Sequence, residues 1–247
     1  MDHSAHIEST ARRIAWGKCL NAGQICVAPD YILVTEKARK PLVDALVKQL
    51  EAFYPKGPAV SASYSRIRND HPMPRLTASL EEATSRGARI LHGGHWNPEE
   101  RLLEPTLIEG VPGDARLMTE EIFGPILPIQ TVANAEEAIE VINGKERPLA
   151  LYVYSKDNKV IKKINRETRA GSGCINHNVV HYSNHHLPFG GINNSGIGKS
   201  HGYHGFLAFS NERATVRQYT LSSAELLLPP YSNWKQRMAD ATLRWFK

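Results

Sequence analysis

Apolar positions along the chain alternate between two patterns, one repeating at about 3.6 residues and one made of short β-branched runs typical of buried strands. Residues 8–21 (ESTARRIAWGKCLN) fit a helix with Ile14 and the Trp16–Leu20 side turned inward. Tyr31–Thr35 reads as a strand, and Leu42, Val43, Leu46, Val47, Leu50 and Phe53 then recur at helical spacing. A further helix is expected over 72–86, followed by a short strand at Arg89–His92 and a turn at Gly93-Gly94. Glu104–Ile108 and Ile126–Val132 fit strands. Asn134 with Glu137 three residues on predicts a capping box that opens a helix at 135–143. Leu149–Ser155 fits a buried strand, Asp157 caps a helix carrying Val160, Ile161 and Ile164, and Gly173–Asn178 fits another strand. The repeating helix–strand order predicts an α/β fold with an open, mostly parallel sheet and flanking helices.

The pattern breaks at 187–202 (LPFGGINNSGIGKSHG), where five glycines, two asparagines and a proline exclude a regular element. A helix at about 200–209 and a strand at Glu212–Tyr219 follow. The chain closes with a short amphipathic helix on which Trp234, Met238, Ala241 and Trp245 share a face.

Composition narrows the classes. The chain has 247 residues, 41% of them hydrophobic and 22% charged, which suits an ordinary folded domain and excludes disorder as the main state. No apolar run reaches the ~18 residues of a spanning helix, and MDHSAHIEST has neither part of a secretory signal. The net charge is +5, but Lys37, Arg39 and Lys40, and Lys162, Lys163, Arg166 and Arg169, alternate with apolar residues as solvated helix faces do. No nucleic-acid partner is expected. Three cysteines without a C-x-x-C pair fit a reducing, cytoplasmic setting and argue against a disulfide framework.

Several residues are candidates for chemistry. Cys26, in NAGQICVAP, lies where a helix gives way through Gly23-Gln24 to a loop and a strand. It reads either as a thiol nucleophile whose own N–H faces an oxyanion or as a small buried hydrophobe. Cys19 and Cys174 fall inside a helix and a strand and read as buried. Glu120-Glu121-Ile122-Phe123-Gly124-Pro125 sets two carboxylates before a ring and a tight turn. That suits a ribose and a flat heterocycle, or simply a charged loop anchored by Phe123. Ser195–Ser200 (SGIGKS) has a P-loop ending, but Asn193 stands where the first glycine belongs, and no G-x-G-x-x-G occurs. His177, His181, His185, His186, His201 and His204 lack metal-site spacing and read as polar loop histidines; no metal is expected.

Taken together, GKCLNAGQICVAPDYILV, EEIFGPILPI and LPFGGINNSGIGKSHGYHGFLAFS, in this order, resemble an aldehyde dehydrogenase over about residues 5–219. RRIAWGK, CVAPDYILV, PLALYVYS and Pro229-Pro230-Tyr231 resemble its class 3 branch of fatty and aromatic aldehyde oxidisers. The resemblance implies that Cys26 is the nucleophile, which passes through a thiohemiacetal and a thioester. It implies that Glu121 holds the ribose of NAD or NADP, that Phe123 lies beside the nicotinamide, and that Phe189 and Asn21 lie on the substrate side. It implies a catalytic domain at 1–210, an oligomerisation strand and tail at 211–247, and a homodimer whose strand at 212–219 extends the neighbouring subunit's sheet. The family's cofactor domain, its oxyanion asparagine and the glutamate of its E-L-G-G-K motif have no counterpart here. The expectation is therefore a catalytic portion that oxidises no aldehyde by itself, the alternative being a non-catalytic remnant that folds and self-associates.

Overall fold

The computed structural model describes residues 1–69, 71–220, 225 and 228–246. Two compact units emerge, Met1–Phe209 and Ser210–Lys247.

In the first unit, α1 (Ile7–Cys19) is capped by the His6 ring, whose Nδ1 accepts the Ser9 N–H. It runs into a 3-10 turn at Leu20–Gly23. After β1 (Ile32–Thr35) come α2 (Glu36–Phe53) and α3 (Pro72–Ser85). Then follow β2 (Arg89–His92), β3 (Trp96–Asn97), β4 (Leu102–Leu103), β5 (Thr106–Glu109) and α4 (Arg116–Thr119). The unit continues with β6 (Ile126–Val132), α5 (Ala135–Asn143), β7 (Ala150–Val153), α6 (Asn158–Glu167), β8 (Ser172–Ile175) and α7 (Gly202–Ala208).

The main sheet has the order β1-β6-β5-β2. β1 and β5 both run parallel to the central β6, with Ile32 opposite Ile129 and Thr106 opposite Ile126, while β2 closes the edge antiparallel. β7 and β8 form a separate parallel pair with Tyr152 opposite Cys174, and β3 and β4 an antiparallel one. The α/β class and its parallel sheet match the sequence pattern. The core lies between the main sheet and α1–α3, where Leu42, Leu46, Leu76, Ile108, Ile126 and Ile129 are almost fully buried.

Local differences have physical causes. Trp16 and Leu20 lie outward, at 38% and 37% exposure, because the inward stripe of α1 is Ala11, Ile14, Ala15 and Lys18. β5 starts at Thr106, two residues later than the pattern suggested and just after Pro105, which has no N–H for a ladder. β7 is only half-buried before Val153, since its sheet has a single partner strand. Asn134 caps α5 by accepting the Glu137 N–H, but the Glu137 carboxylate reaches back to the Ala133 N–H instead of that of Asn134.

In the second unit, α8 (Asn233–Trp245) is capped by Ser232, and Trp234 and Trp245 are exposed. The stretch 212–219, expected as a strand on a neighbouring subunit's sheet, has no strand partner among the described residues of this single chain. All eight residues are exposed and none joins a ladder among the described residues. A strand needs a partner edge for its N–H and C=O groups, and alternation alone does not supply one.

Candidate active site

The site is built on the turn that ends α1. Asn21, Ala22 and Gly23 have positive φ values of 50°, 51° and 74°. Such a left-handed run reverses the chain within three residues, at a strain that only cross-links sustain. Gln24 supplies them. Its amide donates to the carbonyls of Asn21 (2.9 Å) and Arg66 (3.1 Å), and its oxygen accepts the Arg68 N–H (2.9 Å). Asn21 answers by donating to the Gln24 carbonyl at 3.1 Å, so its amide shapes the turn.

Cys26 follows on a second turn closed by the Ala28 N–H on the Ile25 carbonyl, 2.9 Å. It is the exposed thiol of the three, whereas Cys19 is buried and Cys174 intermediate. The Cys26 N–H donates to none of the described residues. Burial pushes the Cys19 thiol up to about 12. Cys174 is likewise pushed up by burial, with its Sγ 3.3 Å from Nδ1 of His181.

The Glu120–Pro125 loop meets this turn backbone to backbone. A methyl placed on Gly23 would fall 2.6 Å from the Gly124 carbonyl carbon. Asp30 ties the same loop by accepting the Ile122 N–H at 3.1 Å. Arg75 donates to the carbonyls of Glu121 (3.0 Å) and Ile122 (2.6 Å). Glu121 therefore stands on a pinned backbone with its carboxyl outward, pushed above the usual range by partial burial and by Asp30. Phe123, two residues on, has φ 45° and is 40% exposed, a flat apolar face on the same loop. A carboxylate and an open ring on one pinned loop fit a ribose and a heterocycle.

On another side, Tyr152 of β7 donates to the Val27 carbonyl at 2.6 Å. The His181 ring lies edge-on to Tyr152 at 5.8 Å, and Phe189 lies 6.0 Å beyond it. Phe189 also pairs with Ser200 through two backbone hydrogen bonds and stacks on His201. A continuous series of rings thus joins the Phe189 loop to the turn of Cys26. Lys199 donates to the carbonyls of Gly171, Gly190 and Gly191 at 2.9, 2.8 and 3.2 Å, so the P-loop-like lysine knits the glycine segment together.

Reading the sequence missed Lys18, Asp30, Arg75 and Tyr152. It also placed His181 in a polar loop, but His181 is buried between Ser172 and Cys174. Lys18 had left a signal: it occupies the buried stripe of α1, four residues after Ile14. Among the described residues no group of three His, Cys, Asp or Glu side chains converges as a metal site.

Comparison with known proteins shows the family. A family model described as "Aldehyde dehydrogenase family" matches residues 1–215. A 4,4'-diaponeurosporen-aldehyde dehydrogenase of Staphylococcus aureus is 42% identical over 231 residues, 94% of this chain and 50% of that protein. A bovine protein described as a dimeric NADP-preferring aldehyde dehydrogenase is 41% identical over 226 residues, 92% of each chain. Among solved structures, the substrate-bound state of Staphylococcus aureus AldH superposes with a TM-score of 0.90 at 41% identity, covering 100% of this chain and 52% of that one. The chain spans about half the length of most of these relatives.

Proposed function

The chain belongs to the aldehyde dehydrogenase family, and from that premise we propose that it carries the thiol chemistry of a nicotinamide-dependent oxidation of an aldehyde to a carboxylic acid. The observation that supports this best is the exposed Cys26, on a pinned turn, with an N–H that no described residue accepts.

In this reading the Cys26 thiolate attacks the aldehyde carbon, and the carbonyl π-bond becomes an alkoxide facing the Cys26 N–H. Oxidation of that adduct leaves an acyl thioester on Sγ. Water adds to it and releases the acid, and the thiol returns. A bound NAD or NADP supplies the two-electron acceptor. Glu121, on the loop held by Asp30 and Arg75, accepts the ribose hydroxyls, and Phe123 covers one face of the nicotinamide. Phe189 forms the apolar approach for a fatty or aromatic aldehyde, and Asn21, on the substrate side, shapes the turn with its amide. Tyr152 holds the far end of the nucleophile's turn.

Further parts of the reading concern assembly and setting. A homodimer is proposed on the bovine and rat relatives named as dimeric and on the exposed stretch 212–219. A monodisperse monomer by light scattering would count against it. Free thiols at all three cysteines support a cytoplasmic setting. No helix among the described residues is long and apolar enough to cross a membrane.

The test is turnover of an aromatic or medium-chain aldehyde by a protein containing this chain, read as absorbance of the reduced nicotinamide. Cys26→Ser should lower it by several orders of magnitude, as loss of a covalent nucleophile does. Turnover that survives Cys26→Ser would sink the proposal.

A further inference from the structure

His181 is only 7% exposed, and both of its ring nitrogens are engaged. Ser172 and Cys174 stand two residues apart on β8, so their side chains leave the same face, and the 3-10 turn Val180–Ser183 folds His181 back over them. The Ser172 hydroxyl has one proton and donates it to the Leu149 carbonyl at 3.0 Å. Toward His181 it can only accept, so the proton of the neutral ring is on Nε2, 2.9 Å away. Nδ1 is then an acceptor, and the Cys174 thiol, 3.3 Å from it, donates. Two bonds to different ring nitrogens leave the imidazole one orientation. A protonated ring would turn Nδ1 into a donor facing a sulfur, which accepts weakly, and burial likewise holds the His181 pKa below its ordinary value.

The fixed ring lies between two parts of the site. Tyr152, opposite Cys174 in the β7–β8 pair, meets it edge-on at 5.8 Å and donates to the Val27 carbonyl next to Cys26. Phe189 lies 6.0 Å from it, tilted by 42°. Phe189 has two further ring neighbours, Tyr182 at 5.0 Å and His201 at 5.3 Å. Tyr182 is exposed and His201 only partly buried. Of the three rings around Phe189, His181 alone is buried and bonded to strand side chains.

We propose that His181 is a positioning residue that sets selectivity for the aldehyde's chain: fixed by Ser172 and Cys174, it spaces Phe189 from Tyr152 and so shapes the apolar approach to Cys26. The proposal rests on the readings that Cys26 is acylated and that Phe189 lines its approach, and the test separates it from both.

The test uses the full chain and two acyl donors, p-nitrophenyl acetate and p-nitrophenyl octanoate, each followed by the burst of nitrophenolate. The short ester reads Cys26, and the long one adds the approach. Nitrogen NMR of His181 reads the ring itself, and wild type should give the two separated signals of a neutral imidazole protonated at Nε2. Cys174→Ala removes the donor to Nδ1, and the octanoate-to-acetate ratio of burst rates should fall by about tenfold, the usual worth of one methylene's contact in an apolar pocket. Cys174→Ser keeps a donor and should restore the ratio. Ser172→Ala removes the other bond and should lower the ratio in the same way, so the proposal stays testable if one variant does not fold. An unchanged ratio in the folded variants, an equal loss with both esters, no rescue by serine, or a wild-type ring protonated at Nδ1 overturns the proposal. If Phe189→Ala leaves the ratio as in wild type, the reading of the approach fails, and if the burst survives Cys26→Ser, that of the nucleophile fails. In either case the His181 nitrogen signals in Cys174→Ala still decide whether the ring is held.

Discussion

Gly23→Ala tests the contact on which the site is built. Gly23 has φ +74°, and its missing methyl would fall 2.6 Å from the Gly124 carbonyl carbon and 3.2 Å from the Lys18 carbonyl oxygen. All these neighbours are backbone atoms, so no side chain can turn aside. The Gly124 carbon must retreat to the 3.4 Å where ordinary contact begins. Gly124 is itself held from behind, since a methyl there would meet Leu76 Cδ2 at 2.6 Å. The retreat therefore strains the 3.1 Å bond from Ile122 to Asp30. A left-handed alanine costs about 1–2 kcal/mol, and a weakened, partly buried hydrogen bond adds ~1 kcal/mol, for a total of roughly 2–3 kcal/mol. Gly57→Ala is the control, because Gly57 has φ +87° and nothing lies within 4 Å of its methyl. It should show the conformational part alone. Urea unfolding followed by circular dichroism gives both values, and their difference isolates the loop contact. If Gly23→Ala is no more destabilising than Gly57→Ala, the two loops do not touch as described, and the site loses its frame.

Limiting iodoacetamide at pH 8 should label Cys26 and spare Cys19. With its thiol pushed up to about 12, Cys19 is thiolate in only about one molecule in ten thousand at that pH; a mass map showing Cys19 labelled first would refute this. Tyr152→Phe removes the donor to the Val27 carbonyl and should cost ~1–2 kcal/mol while changing the alkylation rate of Cys26. An unchanged rate would mean that Tyr152 does not restrain the turn. Burial lowers Lys18 from 10.5 to about 8, so between those values the unfolded chain holds more protons than the folded one, and stability rises with pH. Unfolding free energies from pH 8 to 9.5 should climb more steeply in wild type than in Lys18→Met, and equal slopes would contradict the buried ammonium.

Much of the fold was legible because burial imposes a period. The stripe Leu42, Leu46 and Leu50 and the run of β6 could belong to little else than a packed helix and a central strand. What failed to show was whatever depends on a partner. The alternation at 212–219 has the composition of a strand but no edge to pair with among the described residues of the single chain. The β3–β4 pair, two residues per strand, is too short to carry a period. The site divides in the same way. Cys26, Glu121 and Phe123 sit in local patterns that read either way, and Phe189 is singled out only by the resemblance. Their positioning partners were not, because the bond from Ile122 to Asp30 spans 92 residues and that from Tyr152 to Val27 spans 125. Only folding reveals such pairs. Lys18 is the intermediate case, since a charge in the apolar stripe of α1 is visible in the sequence.

The central claim is that Cys26 is the residue that becomes acylated. The most direct measurement mixes the chain with p-nitrophenyl acetate, follows release of nitrophenolate and locates the acetyl group by peptide mass mapping. A burst stoichiometric with the chain is expected, with the acetyl group on the peptide containing Cys26 and both lost in Cys26→Ser. A burst that persists in Cys26→Ser, or an acetyl group on Cys19 or Cys174, would contradict it.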